Sequence, residues 1–182
     1  MKYWKYYWKC RLLGMLGCDV SKLERAEIHP SCMIAAATHI DAQSGKITIG
    51  EKSTLHAYAM LIANGGDITV GAGLSVNPFS VLYSGKAGLV IGENVRIAAH
   101  VVIIPENHNI DRLDMPIRFQ GRTSKGVTIG SDVWIGTGVK ILDGAVIGDG
   151  CVIGANAVVL GEIPPYSVAV GIPARPVKSR KI

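Results

Sequence analysis

From Val127 to Val159 the chain reads VTIGSDVWIGTGVKILDGAVIGDGCVIGANAVV, and an aliphatic side chain opens every block of six: Ile129, Ile135, Ile141, Ile147, Ile153 and Val159. Gly follows four of these six residues. Helices repeat at about 3.6 residues and strands at about two, so neither explains glycine at a fixed phase of six. A short, fixed period predicts stacked units that each contact only their neighbours.

The same phase runs upstream. Ile28, Ile49, Val70 and Ile91 fall at intervals of 21 residues, and the last three close the β-rich leads KITIG, DITVG and GLVIG. Between them, blocks open at Ile34, Ile40, Leu55, Leu61, Val76, Leu82, Ile97 and Ile103. Each early turn is therefore three blocks of six plus three residues, and the extra residues fall in the corner sequences QSGK, NGGD and SGKAG. After Ile129 the turn shortens to 18 residues. Three blocks per turn predict triangular coils with three short parallel strands, about six of them from Ile28 to about Pro164. The opening residue of each block points inward, and the backbone bonds to the coils above and below.

One long interruption breaks the phase, between Ile103 and Ile129. The segment NHNIDRLDMPIRFQGRTSKG is polar and charged, and a loop thrown out of a regular solenoid commonly carries function. The expected organisation is an N-terminal segment 1–27, an all-β solenoid 28–165 with a protruding loop 107–126, and a basic tail 166–182. Pro164, Pro165 and Pro173 are expected to end the coils. The N-terminal MKYWKYYWKCRLLGMLG is expected to be helical to about Leu13. It suits a cap over the first coil, or a peripheral membrane contact through residues 1–20 in which Lys beside Trp and Tyr meets headgroups.

Composition refines this picture. Hydrophobic residues make up 48% of the 182 but aromatics only 6%, so the core is aliphatic and narrow. The net charge of +5 is concentrated at the two ends, which argues against a nucleic-acid face and suits a small anionic ligand. Cys10, Cys18, Cys32 and Cys151 form no CxxC pair and no zinc spacing, so no metal is expected. Cys32 and Cys151 occupy the fifth place of their blocks and are expected to be buried fillers. With no evident secretory signal and no membrane-length apolar run, the expectation is a reduced, cytoplasmic protein.

His108 at the mouth of the loop, VTIGSDVWIGTGVKILDGAVIGDG, VIGANAVV and IPPYSVAVGIPARPV, in this order, resemble the hexapeptide-repeat acyltransferases. Within them the chain is similar to the maltose, galactoside and polysaccharide O-acetyltransferases, over about Ile49 to Lys178. The resemblance implies a left-handed parallel β-helix, a homotrimer, and acetyl-CoA bound between subunits as acyl donor to a sugar or glycan precursor. It implies His108 as general base and Asn77 as a contact to the acceptor or the developing oxyanion, with Trp134 lining the cleft. Thr137, Ala155, Leu160, Gly161, Arg175 and Lys178 would meet acetyl-CoA. Leu160–Gly161 departs from the Thr–Lys of many relatives, and Pro176 falls where a C-terminal helix would be disturbed.

His108 and Asn77 belong to different corners of the triangle, about 15–20 Å apart at roughly 3.3 Å per residue, so a shared site has to lie between subunits. Glu106 or a backbone carbonyl is a candidate to orient His108. Asp111, Arg112, Arg118 and Gln120 are candidates to meet the acceptor. Three alternatives stay open: N-acetylation of an amino sugar, a γ-type carbonic anhydrase built on some of His29, His39, His56, His100 and His108, and a non-catalytic β-helix scaffold.

Overall fold

The computed structural model describes residues 23–181. The expectations for a helix to Leu13 and for membrane contact through residues 1–20 lie outside these. Among the described residues the chain is a parallel β-helix with three faces. The first face stacks seven strands, starting with Ala26–Ile28, Ile47–Ile49, Ile68–Val70, Leu89–Ile91 and Val127–Ile129. The second stacks Met33–Ile34, Thr54–Leu55, Ser75–Val76, Arg96–Ile97, Trp134–Ile135, Val152–Ile153 and Ser167–Val170. The third stacks His39–Asp41, Met60–Ile62, Val81–Tyr83, Val102–Ile104, Lys140–Leu142 and Val158–Val159. The six strands of the third face count six coils.

The period of six follows from this geometry. The opening aliphatic of each block stacks in register on its equivalent one coil away, as Ile49 does on Val70 and Leu61 on Leu82. These side chains are buried and form the core. The fifth place turns inward too. Where it holds a hydroxyl, the group is satisfied: Ser80 Oγ donates to the Ala98 carbonyl at 2.9 Å and accepts from Val101 N at 3.2 Å. Cys32 and Cys151 fill the same place, buried and unpaired, and burial pushes the Cys151 thiol up. Iodoacetamide at pH 8 is expected to leave both unmodified in the native protein and to label both after denaturation, read by peptide mass mapping.

Glycine after the first-face aliphatic has a separate cause. At Gly50, Gly71 and Gly92 a Cβ would stand within 2.9 Å of the next coil's backbone. This corner brings successive coils too close for any side chain.

The three faces differ outwardly. The first presents Glu27, Thr48, Thr69, Val90 and Thr128. The third presents Met60, Ile62, Val81, Tyr83, Val102 and Ile104, so a flat row of apolar side chains looks away from the core.

Two expectations about the C-terminus need correction. Pro164 and Pro165 do not end the coils: Ser167–Val170 still stacks on Val152–Ile153, with Val168 opposite Val152. No helix follows. Arg175–Ser179 is a strand that turns back antiparallel on Ser167–Val170. Pro176 sits opposite Ala169, beside the bulge between Val168 and Ala169, a position that tolerates a missing N–H.

Candidate functional site

The interruption leaves the third face after Ile104 and rejoins the first face at Val127, which pairs with Leu89 as if nothing intervened. Its base is a two-stranded antiparallel stem, Asn107–His108 against Arg122–Thr123, with His108 opposite Arg122. Alternation along a strand sends adjacent side chains to opposite sides. Asn107 donates from Nδ2 to Asp143 Oδ2 at 3.0 Å, whereas His108 is exposed and no hydrogen bond reaches its ring among the described residues.

Glu106 does not orient that ring. Its Oε1 accepts from Arg122 Nη1 at 2.9 Å and from Asn64 Nδ2 at 3.5 Å, because the guanidinium across the stem competes more strongly for a carboxylate than a neutral imidazole does.

The tip of the excursion is tied internally. Gln120 Nε2 donates to the Arg112 carbonyl at 2.7 Å and to the Met115 carbonyl at 3.1 Å, and Gln120 Oε1 accepts from Arg112 N at 3.0 Å. Arg112 also pairs with Asp114, and its guanidinium holds that carboxyl below the usual range. Both partners are exposed, so the pair shapes the loop more than it stabilises the fold. Of the residues proposed to meet the acceptor, Gln120 and Arg112 are thus occupied within the loop, and the Arg118 guanidinium lies 4.7 Å from the centre of the Phe119 ring. Ile110, Leu113, Ile117 and Phe119 are exposed, Leu113 almost completely at 99%.

Asn77 lies on the other side of the third face. It follows Ser75–Val76 at the corner leading into Val81–Tyr83, and its Nδ2 donates to the Ile97 carbonyl at 2.9 Å. That bond fixes the amide and uses one of its two N–H groups. Thr137 and Ala155 occupy the same corner on higher coils: Asn156 N donates to the Thr137 carbonyl at 2.8 Å, placing one directly above the other. Ala98 and Ala99 fill the level between Asn77 and Thr137, so small residues line the corner upward from Asn77. Beside them at the same corner, Tyr58, Phe79 and His100 stack from the coil below Asn77 to the coil above it, with ring centroids 5.2 and 5.3 Å apart.

The candidate residues therefore divide between two edges. Asn77, Thr137 and Ala155 lie along the leading edge of the third face. His108 and the Leu160–Gly161 corner lie along its trailing edge. Within one chain the fold does not bring His108 to Asn77. Trp134 opens the two-residue strand Trp134–Ile135 on the second face and points outward, 57% exposed, because Ile135 takes the inward place. Arg175 and Lys178 lie exposed on the returning strand, with Lys178 opposite Val168. Gly161 has open space where a side chain would stand.

His100 is engaged in the aromatic stack and His56 shares Asn77's column. Among the described residues no three His, Cys, Asp or Glu side chains gather as a metal site would require. Sequence reasoning did not single out Asp143 or Arg122. An Asp in a DG turn reads only as turn chemistry, and its partners lie far off in sequence.

Residues 126–161 match the model of the bacterial transferase hexapeptide, six repeats. A probable acetyltransferase of Mycobacterium tuberculosis is 38% identical over 91 residues, which is 50% of this chain and 30% of that protein. The chain thus spans under a third of the length of that curated relative. Among solved structures, a variant of AntD, an N-acyltransferase from Bacillus cereus in complex with dTDP-4-amino-4,6-dideoxyglucose and coenzyme A, is similar with a TM-score of 0.75 at 20% identity, over 97% of this chain and 90% of that one. A hexapeptide-repeat acetyltransferase of Vibrio cholerae, complexed with acetyl coenzyme A, gives 0.58 at 23% identity, over 98% and 87%. At these identities the likeness is one of fold.

Proposed function

We propose that this chain, whose residues 126–161 match the bacterial transferase hexapeptide and which folds as a parallel β-helix, is a hexapeptide-repeat transferase: an acetyl-CoA-dependent acetyltransferase that O-acetylates a sugar or glycan precursor, working as a homotrimer. The observation that carries this reading is the division of the candidate residues between the two edges of one apolar face. Three triangular prisms that turn their third faces to a common axis set the leading edge of each against the trailing edge of the next, which is a closed heterologous ring. The outward row Met60, Ile62, Val81, Tyr83, Val102 and Ile104 suits burial at that axis. His108 springs from the fourth coil and Asn77 from the third, so across such an interface their levels differ by about one strand spacing, ~5 Å.

The acyl donor fits the leading edge. Ala98, Ala99, Thr137 and Ala155 leave room for the thin pantetheine arm to run down toward Asn77. Arg175 and Lys178 are suited to the nucleotide phosphates. In the reaction, His108 accepts the proton of the acceptor hydroxyl as its oxygen attacks the thioester carbonyl carbon. The carbonyl oxygen becomes the oxyanion, and the free N–H of the Asn77 amide, held by Ile97, donates to it. The C–S bond then breaks, CoA leaves as the thiolate, and the proton on His108 returns to sulfur. An amine acceptor needs the same steps, and AntD, an N-acyltransferase, is similar in fold, so N-acetylation of an amino sugar is the second reading.

Thiol release from acetyl-CoA tests both, with maltose, a galactoside, glucosamine and dTDP-4-amino-4,6-dideoxyglucose as acceptors. Turnover with hydroxyl-only sugars supports O-acetylation, and turnover restricted to the two amines supports N-acetylation. The interface is tested by mixing inactive subunits. His108→Ala and Asn77→Ala proteins, unfolded and refolded together in equal amounts, are expected to regain about a quarter of wild-type turnover, because about one interface in four then pairs an intact histidine with an intact asparagine. A mixture no more active than its two parents rules the shared site out.

A further inference from the structure

We propose that Asp143 is a positioning residue for His108, a role that rests on reading His108 as the base. Other aspartates in the solenoid stitch one coil to the next through a single amide: Asp67 Oδ1 accepts from Lys46 N at 2.8 Å and Asp149 Oδ1 from Ser131 N at 2.6 Å. Asp143 does more. Its Oδ1 accepts from Lys125 N at 2.6 Å and Gly126 N at 3.0 Å, where the excursion returns, and its Oδ2 accepts from Asn107 Nδ2 at 3.0 Å, where the excursion departs.

One carboxylate therefore grips both ends of the stem and ties them to the coil above. From below, the stem is held by Glu106, through Arg122 and Asn64. Asn107 is the residue next to His108 on its strand. With no hydrogen bond to the His108 ring among the described residues, the direction of that ring follows from how its strand is held. Asp143 sits in the tight turn that ends Lys140–Leu142, closed by Ala145 N donating to the Leu142 carbonyl at 3.1 Å, so the clamp is anchored on a rigid corner.

The polarity of the clamp provides the test. In Asp143→Asn a single carbonyl oxygen faces donors on both sides, so the Asn107 amide loses its acceptor. Asn107→Asp instead sets two carboxylates against each other. Each single variant is expected to lower kcat about 10- to 100-fold, the scale of a catalytic group displaced by about 1 Å, with KM for acetyl-CoA within about twofold of wild type. In the double variant Asp143→Asn/Asn107→Asp, the amide at 143 donates to the carboxylate at 107, and kcat is expected to return to within about threefold of wild type. Hydrogen exchange across 105–126 is expected to quicken in each single variant and slow again in the double. Asp149→Ala, which removes a comparable stitch away from the stem, is expected to leave kcat unchanged.

Full activity in Asp143→Asn overturns the proposal. So does a loss that the double variant does not recover, or one matched by Asp149→Ala. Failure of the base assignment looks different: His108→Ala itself then turns over normally.

Discussion

Replacing His108 by alanine is expected to lower kcat by about a thousandfold, within the range for loss of a general base. KM for acetyl-CoA should stay within about twofold of wild type, because Thr137 and Ala155 lie along the other edge of the third face and Arg175 and Lys178 on the returning strand beside the second. The geometry makes this a clean variant. The ring is exposed and no hydrogen bond among the described residues depends on it, so truncation leaves neither a cavity nor an orphaned polar group. The stem keeps its Asp143 and Glu106 anchors. Thermal unfolding within about 1 °C of wild type, measured alongside thiol release, is expected for so exposed a substitution. A stable variant with normal turnover would remove His108 from the mechanism.

The largest effect on stability is expected from Gly92→Ala. This glycine does not have a left-handed conformation, so backbone freedom is not the reason for it. Space is. An added Cβ would stand 2.6 Å from Ser131 Oγ and 2.7 Å from both Gly130 C and Ser131 N. The coils cannot separate to admit it, because Gly92 N donates to the Ile129 carbonyl at 2.8 Å and Glu93 N to Ser131 Oγ at 3.0 Å across the same gap. Overpacking against backbone on this scale costs about 2–3 kcal/mol, or roughly 5–10 °C in Tm for a domain of this size. Gly161→Ala is the matched control. It has open space around its Cβ and only an unfavourable φ of +91°, so it is expected to cost about 1 kcal/mol. Equal melting temperatures for the two variants would show that coil spacing at the first corner is softer than the structure implies.

Much of the solenoid was legible because it is local. Each aliphatic at the head of a block, from Ile34 to Val159, takes its inward place from alternation within a strand of two or three residues. The change from 21 to 18 residues per turn and the position of the excursion are likewise properties of spacing. The C-terminus was misread for the opposite reason. Proline usually ends regular structure, but Pro164 and Pro165 occupy a corner, where no ladder hydrogen bond is lost, and Pro176 lies beside a bulge on the outermost strand.

The sequence by itself determined the period, the three faces, the aliphatic core and the histidine at the mouth of the one long loop. These follow from side-chain alternation and turn chemistry within a few neighbouring residues. The tertiary structure alone decided how those parts face one another. It placed Asn77, Thr137 and Ala155 on one edge and His108 on the other, turned an apolar row outward between them, gave Glu106 to Arg122, and closed the stem with Asp143. Each of these is a contact between coils, and Asn107 and Asp143 stand 36 residues apart. A repeat specifies that coils stack. Which polar atoms then meet depends on the length of every corner between them.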